Sequence, residues 1–270
     1  MTFSIVARSA DGESWGVAVA SKFLAVGSAV PAAVAQVGAI ATQADANVAY
    51  KGLALSHLDE GATAEIALER LLEEDEGREH RQVGIVDSDG GAASHTGRGC
   101  VTYAGHTTGD GYAIQGNCLA GPEVIEAMER TWLESAEEPF ERRLLAALAA
   151  GDAAGGDWRG RQSAALLVVR DEAGYGGNDD IAVDLRVDDH AAPIPELERL
   201  LGLNDLYLTA SSEEDKVVVT PELEQSLEEH ARAAGQPDFR TWVGVENLEM
   251  RVAPDLSWVD RRVLEIVRAD

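Results

Sequence analysis

The first 21 residues, MTFSIVARSADGESWGVAVAS, predict a β-hairpin that begins almost at the start of the chain. Residues 3–8 have the character of a strand, and residues 15–20 return with a similar pattern. Asp11 and Gly12 stand between these segments as a dipeptide that is typical of a tight turn. We therefore expect an antiparallel sheet whose first strand fixes residue 2 in place.

After the hairpin, strands and helices follow one another in groups. This order favours an α+β layered sandwich over a simple βαβ repeat. We place the main domain at residues 1–208 and a small, mostly helical C-terminal extension at 209–270. Further strands are predicted at 37–42, 82–87, 92–96, 112–115, 164–170 and 181–187, with a short extended piece at 204–208. Helices are predicted within 53–74, from 121 onward, and at 139–150, 196–202, 221–234 and 258–268.

The acidic composition excludes several classes of partner. The formal net charge is -26, with 48 acidic and 22 basic residues. We expect neither nucleic acid nor an anionic membrane surface as a partner, because both attract basic faces. No apolar run approaches the roughly 20 residues that span a bilayer, and no basic secretory region precedes one, so we predict a cytoplasmic protein.

Lysine is rare in this chain, with three residues against nineteen arginines. Acid-rich, lysine-poor surfaces suit high salt, where self-repulsion is screened. We predict a halophilic protein, and the alternative is an acidic protein adapted to ordinary salt. The C-terminal extension is too small to be stable alone, so we expect it to pack on the main domain or on a second subunit of a homo-oligomer.

Thr2 is a candidate nucleophile, because removal of Met1 would make it the first residue. A free α-amine has a pKa of about 8, close enough to neutrality to act as a base for the hydroxyl of the same residue. One residue then supplies both the nucleophile and its base.

Polar residues follow several predicted strands, at the ends where functional sites collect. Where such a polar residue is part of an apolar strand, its side chain needs a hydrogen-bond or ion-pair partner, because burying an unpaired polar group is costly. The candidates are Ser21 and Lys22 after the second strand, Thr42, Gln43 and Asn47 after the third, Gln115, Gly116 and Asn117 in a turn, and Asp157, Gln162 and Ser163 before the strand at 164–170.

A second acidic segment offers an alternative site for chemistry. Its carboxylates and imidazole are potential ligands of a divalent cation, although their order is not that of a calcium-binding loop. The segment contains Asp184, Asp188, Asp189 and His190. Cys100 and Cys118 match no zinc motif and are interpreted as reduced structural residues.

A series of motifs resembles a widespread bacterial and archaeal family of unknown function that is placed in the Ntn-hydrolase (N-terminal nucleophile) superfamily. The resemblance covers about residues 2–208, and the C-terminal part resembles an extension that many members carry. The motifs are MTFSIVAR, GVAVASKFLAVG, GAIATQADAN, RQVGIVD, GYAIQGNCLAGPEV, GGDWRGRQSAALLVV, VDLRVDDH and LYL, in that order.

The resemblance implies a four-layer αββα Ntn-hydrolase-like sandwich and, more distantly, similarity to proteasome β-type subunits. The nucleophilic threonine of those subunits corresponds to Thr2. Their oxyanion-hole backbone donor falls near Gln43, and their later Gly-Ser-Gly turn falls near residues 115–117. The Asp and Ser that steady their terminal amine fall near Asp157 and Ser163.

The chain also departs from the proteasomal pattern. Ser21 stands near the position of their carboxylate, and their essential lysine has no clear match, although Lys22 is close in sequence. The resemblance therefore implies hydrolysis of an amide or related C–N bond in a small molecule, without a cofactor or metal. Its catalytic residues would be Thr2, Gln43, Asn117 and Asp157, with the other strand-end residues binding substrate. The alternatives are a non-catalytic small-molecule-binding protein on the same fold and a metal-dependent hydrolase using the acidic segment.

Overall fold

The computed structural model describes residues 2–269, and the side chains of residues 2–268. The chain divides into two compact units, Met1–Glu198 and Arg199–Asp270. The predicted boundary after residue 208 lies beyond this division.

Strands and helices of the first unit follow each other in groups, as the sequence indicates. The strands are β1 (Thr2–Arg8), β2 (Ser14–Ser21), β3 (Pro31–Val34), β4 (Gly38–Ala44), β5 (Arg81–Asp87), β6 (Ala92–Thr96), β7 (Gly105–Gly109), β8 (Tyr112–Asn117), β9 (Ser163–Arg170) and β10 (Ile181–Val187). The helices are α1 (Val26–Ala29), α2 (Ala49–Asp59), α3 (Ala64–Glu73), α4 (Glu123–Glu134), α5 (Phe140–Ala153) and α6 (Pro193–Tyr207), the last of which continues into the second unit.

The strands form two antiparallel sheets that contact each other. The first sheet has the order β10-β9-β2-β1-β8-β7, and the second has the order β3-β4-β5-β6. β1 contacts β4 and β5, and β8 contacts β5, so the middle of one sheet lies against the middle of the other. Small and β-branched side chains such as Val17, Val19, Ala39 and Ala41 fill the apolar part of this interface.

Helices pack against both sheets. α4 and α5 contact strands of the first sheet, whereas α2 and α3 contact strands of the second. Thr63 caps α3 by accepting a hydrogen bond from the Ile66 backbone N–H, as its position in the sequence predicts. The result is a mixed fold of α-helices and antiparallel sheets, and none of the helices within residues 2–269 has the length and apolarity that crossing a bilayer requires.

The second unit has its own apolar core, which includes Leu227, Phe239, Trp242 and Val263. A short β-ladder crosses it, and a buried ion pair joins Arg251 to Asp260 with 3.0 Å between Nη1 and Oδ2. Its elements are β11 (Lys216–Val218), α7 (Pro221–Ala233), α8 (Phe239–Val245), β12 (Trp258–Asp260) and α9 (Arg261–Ala269).

Two sequence expectations for this part of the chain are wrong. Residues 204–208 are not extended, because α6 runs to Tyr207 with Leu197, Leu201 and Asn204 buried at helical spacing. The last helix does not begin at residue 258. Residues 258–260 form a strand, and the Asp260 side chain accepts a hydrogen bond from the Arg262 backbone N–H at 2.8 Å, which starts the helix after it.

Candidate active site

A row of polar side chains crosses one end of the first sheet. Asn117 on β8 lies opposite Thr2 on β1, and Ser21 on β2 lies opposite Ser163 on β9. The hydroxyl oxygens of Thr2 and Ser21 are 3.2 Å apart and form a hydrogen bond that joins these pairs. All of these side chains are buried. We call Asn117, Thr2, Ser21 and Ser163 the polar row.

Strand alternation places the Thr2 and Ser4 side chains between the sheets. Successive side chains of a strand point to opposite faces. Ser4 donates a hydrogen bond across the sheets to Gln43 Oε1 at 2.8 Å. Phe3 points to the other face of the sheet, toward α5. A β-carbon added to Gly151 of α5 would lie 3.4 Å from the Phe3 ring. The alternation of polar and apolar residues in β1 therefore determines where the Thr2 hydroxyl lies.

Two side-chain amides hold the backbone carbonyl of Thr2. Gln43 Nε2 donates to this oxygen at 3.3 Å, and Asn117 Nδ2 donates to it at 3.5 Å. The same two nitrogens also donate to Gln82 Oε1, at 2.8 and 2.9 Å. Because buried polar groups are costly unless they are paired, this arrangement fixes the position of Thr2 on the sheet.

Gln82 is the centre of this network, although it is not among the candidates predicted from the sequence. Besides accepting from Gln43 and Asn117, it donates to the Gly116 carbonyl at 2.7 Å and to Thr96 Oγ1 at 2.9 Å. Its side chain is fully buried in β5. The sequence feature that points to Gln82 is a glutamine in a largely apolar strand, because a buried polar side chain there needs hydrogen-bond partners.

A further glutamine, Gln115, fills the space beside this network. Its Nε2 donates to Ser4 Oγ at 2.7 Å, and Ser4 in turn donates to Gln43. The Gln115 amide lies against Gly84 of β5, where an added β-carbon would overlap it. Glycine at position 84 is thus what allows the amide to lie between the sheets.

Asp157 adds a buried carboxylate near the polar row. Its Oδ2 accepts a hydrogen bond from the Lys22 backbone N–H at 2.9 Å, and it forms an ion pair with Arg159 at 3.0 Å. A buried charge needs such partners to offset the loss of water. Asp157 lines a small cavity together with Ser21 and Ser163, so it belongs to the same neighbourhood as the polar row.

The side chains of other predicted candidates lie outside this network. The Thr42 hydroxyl donates to the Asn47 carbonyl at 3.3 Å, and the Asn47 amide donates to Asp75 at 3.4 Å. Thr42 points to the opposite face of β4 from Gln43, as strand alternation requires. Gln162 donates to Asp189 at an exposed position, with 3.1 Å between the atoms.

Asp75 is the centre of a separate charged cluster that includes Asn47. Arg81 donates to its carboxylate at 2.9 Å, and Tyr50 Oη donates at 2.8 Å. The hydrogen bond from Arg81 holds the pKa of the Asp75 carboxyl well below its ordinary value. Burial, followed by the hydrogen bond to Asp75, raises the pKa of Tyr50. These contacts tie the segment before β5 to the start of α2.

The acidic segment of β10 and the residues after it offers no metal-ligand set. Asp184 forms an ion pair with Arg186 at 2.8 Å, and Asp189 accepts from Gln162. Within the described part of the chain, no three His, Cys, Asp or Glu side chains lie close enough together to hold a metal ion. The metal-dependent alternative therefore finds no support in the arrangement of these residues.

Comparisons with known proteins identify related chains without an assigned activity. A family model described as "Family of unknown function (DUF1028)" matches residues 2–197. The crystal structure of protein SPO2555 from Silicibacter pomeroyi, assigned to the same family, matches with a TM-score of 0.69 and 33% sequence identity. That match covers 76% of this chain and 89% of the other. No curated protein matches the sequence.

Proposed function

Since the chain belongs to the DUF1028 family of unknown function, we propose its activity from the geometry of the polar row. Thr2, made N-terminal by removal of Met1, is the nucleophile of a hydrolase that cleaves an amide or related C–N bond. The observation that carries the proposal is the buried Thr2 hydroxyl, 3.2 Å from Ser21 Oγ, on a residue whose carbonyl two amides hold in place.

The proposal includes the αββα arrangement of the Ntn hydrolases. Two contacting antiparallel sheets, with α2 and α3 against one and α4 and α5 against the other, support this assignment. Fold alone does not grant an activity. In this proposal the chemistry therefore comes from the residues at the start of β1.

In the proposed reaction, the α-amine of Thr2 accepts the hydroxyl proton while Oγ1 attacks the carbonyl carbon of the substrate. The C–N bond then breaks, the leaving nitrogen takes the proton, and the acyl group remains on Oγ1 as an ester. Water attacks that ester, which releases a carboxylic acid and restores the hydroxyl. An α-amine with a pKa of about 8 is suited to both proton transfers near neutral pH.

Gln43 and Asn117 act in this proposal as positioning residues. Their side-chain nitrogens already donate to Thr2 O and to Gln82. In this proposal the two amides therefore orient the nucleophile and do not bind the substrate directly. Ser21 orients Oγ1 through its hydroxyl, and Asp157 holds the turn after β2 through the Lys22 backbone. Ser163 and Ser21 line the small cavity beside them.

The first experiment determines the N-terminus of the purified protein. Intact mass and Edman sequencing should show that the chain starts at Thr2. A retained Met1 or a blocked amine would rule out the mechanism, because no free α-amine would then neighbour Oγ1.

The second experiment tests the nucleophile itself with a β-lactone, which acylates N-terminal threonines. We expect one equivalent of label on Thr2, retained at reduced rate in Thr2→Ser and abolished in Thr2→Ala. Ser56→Ala, which replaces a hydroxyl in α2 away from the polar row, is the control and should label like the unmodified protein.

A non-catalytic protein that binds a small molecule on the same fold is the second candidate. The departures from the proteasomal pattern favour it: the essential lysine has no clear match, and Ser21 stands near the position of the carboxylate. Under this alternative the N-terminus is processed but the β-lactone gives no label, and Thr2→Ala leaves ligand binding unchanged. In either case we propose a cytoplasmic, halophilic homo-oligomer that binds a small molecule without a cofactor.

A further inference from the structure

The segments next to the polar row carry basic side chains in a strongly acidic protein. The whole chain has a formal charge of -26 and three lysines. Lys22 directly follows Ser21, and Arg159 and Arg161 lie just after Asp157. The Lys22 ammonium donates to the Arg161 carbonyl at 3.2 Å, so the two segments meet at this end of the sheet.

The two arginines have acidic partners of their own. Arg159 pairs with Asp157 at 3.0 Å, and Arg161 pairs with Asp152 at 2.7 Å. For Lys22, by contrast, no carboxylate lies within 4 Å of the ammonium among the residues that the structure describes. An ammonium has three N–H donors, and the Arg161 carbonyl uses one of them. Within the described part of the chain, no carboxylate therefore offsets the positive charge of Lys22, and its ammonium keeps N–H donors for a ligand.

Exposed aromatic side chains accompany this charge. Phe23 follows Lys22 and is 53% exposed, and Trp158 follows Asp157 and is 59% exposed. Large aromatic side chains at exposed positions are typical of surfaces that bind ligands or partners. A cation and exposed aromatic side chains on the same two segments suit a small molecule that carries both an anionic group and an apolar group.

We propose that the Thr2 site takes amides bearing a free carboxylate, such as N-acyl amino acids, and that Lys22 binds the carboxylate. This assignment rests on the proposed function for the cleaved bond, but carboxylate recognition can be measured without turnover. The acyl group reaches Thr2, the C–N bond breaks as described above, and the released amino acid keeps its carboxylate at Lys22. Phe23 and Trp158 contact the apolar part of the molecule.

The test compares the binding of N-acetyl-L-phenylalanine with that of its carboxamide. The two ligands differ in a single negative charge. Calorimetry uses the Met1-processed full chain carrying Thr2→Ala, which binds without turnover, at the lowest KCl concentration that keeps it folded. We expect the carboxylate to bind about tenfold more tightly, as a charge-assisted hydrogen bond implies.

Lys22→Gln should remove this preference and leave carboxamide binding unchanged. Lys216→Gln is the matched control, because Lys216 lies in the C-terminal unit beside Glu213 and should leave the preference intact. Equal affinity for the two ligands, a preference that survives Lys22→Gln, or no detectable binding of either ligand at millimolar concentration would overturn the proposal. Failure of the proposed function is seen separately, as a processed Thr2 that no β-lactone labels.

Discussion

The β-carbon position of Gly84 points directly at the side-chain amide of Gln115, and the two come from different sheets. Gln115 donates to Ser4, which donates to Gln43, which holds Thr2. The space left by the missing side chain of Gly84 in the second sheet therefore helps to set the position of Thr2, the candidate nucleophile, in the first sheet.

Gly84→Ala tests this dependence. The added methyl group must displace the Gln115 amide, and overpacking of this kind costs about 1–3 kcal/mol in unfolding free energy. Urea unfolding should show that loss. Gly52→Ala is the control, because Gly52 lies in α2 with open space at its β-carbon, and there alanine should stabilise by about 0.5–1 kcal/mol. Equal stabilities for Gly84→Ala and the unmodified protein would show that the sheets separate easily.

Asp75→Asn should lower stability at neutral pH and have less effect in acid. The pKa of Asp75 is depressed in the folded protein, so its stabilisation is complete above the unfolded pKa of about 3.9 and is lost as pH falls through the lower folded value. We expect a loss of about 1–3 kcal/mol at pH 7, because Arg81 and Tyr50 lose an ionised partner. Urea unfolding from pH 7 down to about pH 2 measures the difference.

The control for this variant is Asp59→Asn, at an exposed position in the last turn of α2. It should change stability little at any pH in the same range. An Asp75→Asn effect that stays constant down to about pH 2 would contradict the assigned ion pair.

Arg251→Ala should destabilise the C-terminal unit by about 3–5 kcal/mol, because it leaves the buried Asp260 carboxylate without its cation. Differential scanning calorimetry of the full chain should show an earlier transition. The double change Arg251→Met with Asp260→Leu removes both charges and should recover most of the loss. Arg240→Ala, at an exposed position of α8, serves as the control.

Stability should rise steeply with KCl, because 48 acidic residues repel one another until salt screens them. We expect a folded protein above about 1 M KCl and progressive loss of the fold below it, as followed by circular dichroism and thermal melting. Because screening depends on ionic strength, NaCl should act similarly. A melting temperature that is unchanged between about 0.1 and 2 M salt would contradict the prediction.

Local patterns predict much of the fold. β1 and β2 cover the predicted segments 3–8 and 15–20, since an apolar strand on each side of an Asp-Gly turn is recognisable in sequence. β3 and β7 carry no such pattern. β3 is a four-residue edge strand beginning with Pro31, and β7 is a polar edge strand, GHTTG, without buried residues.

The candidate site was predictable in composition but not in pairing. Thr2, Ser21, Asn117 and Ser163 are each visible as polar residues at strand ends. Their alignment in one row depends on the register of distant strands, which no local pattern specifies. Thr42 is a different case, because the alternation of side chains along β4 already places it on the opposite face from Gln43.

The place of Thr2 in β1 has a consequence for the order of events during synthesis. β1 is synthesised before its neighbour β8, which begins at Tyr112, so the edge of β1 that pairs with β8 stays open until that segment emerges from the ribosome. Once the sheet closes, Thr2 is only 5% exposed. For the proposed nucleophile, we therefore expect Met1 to be removed before β8 pairs with β1, while Thr2 is still accessible to an aminopeptidase.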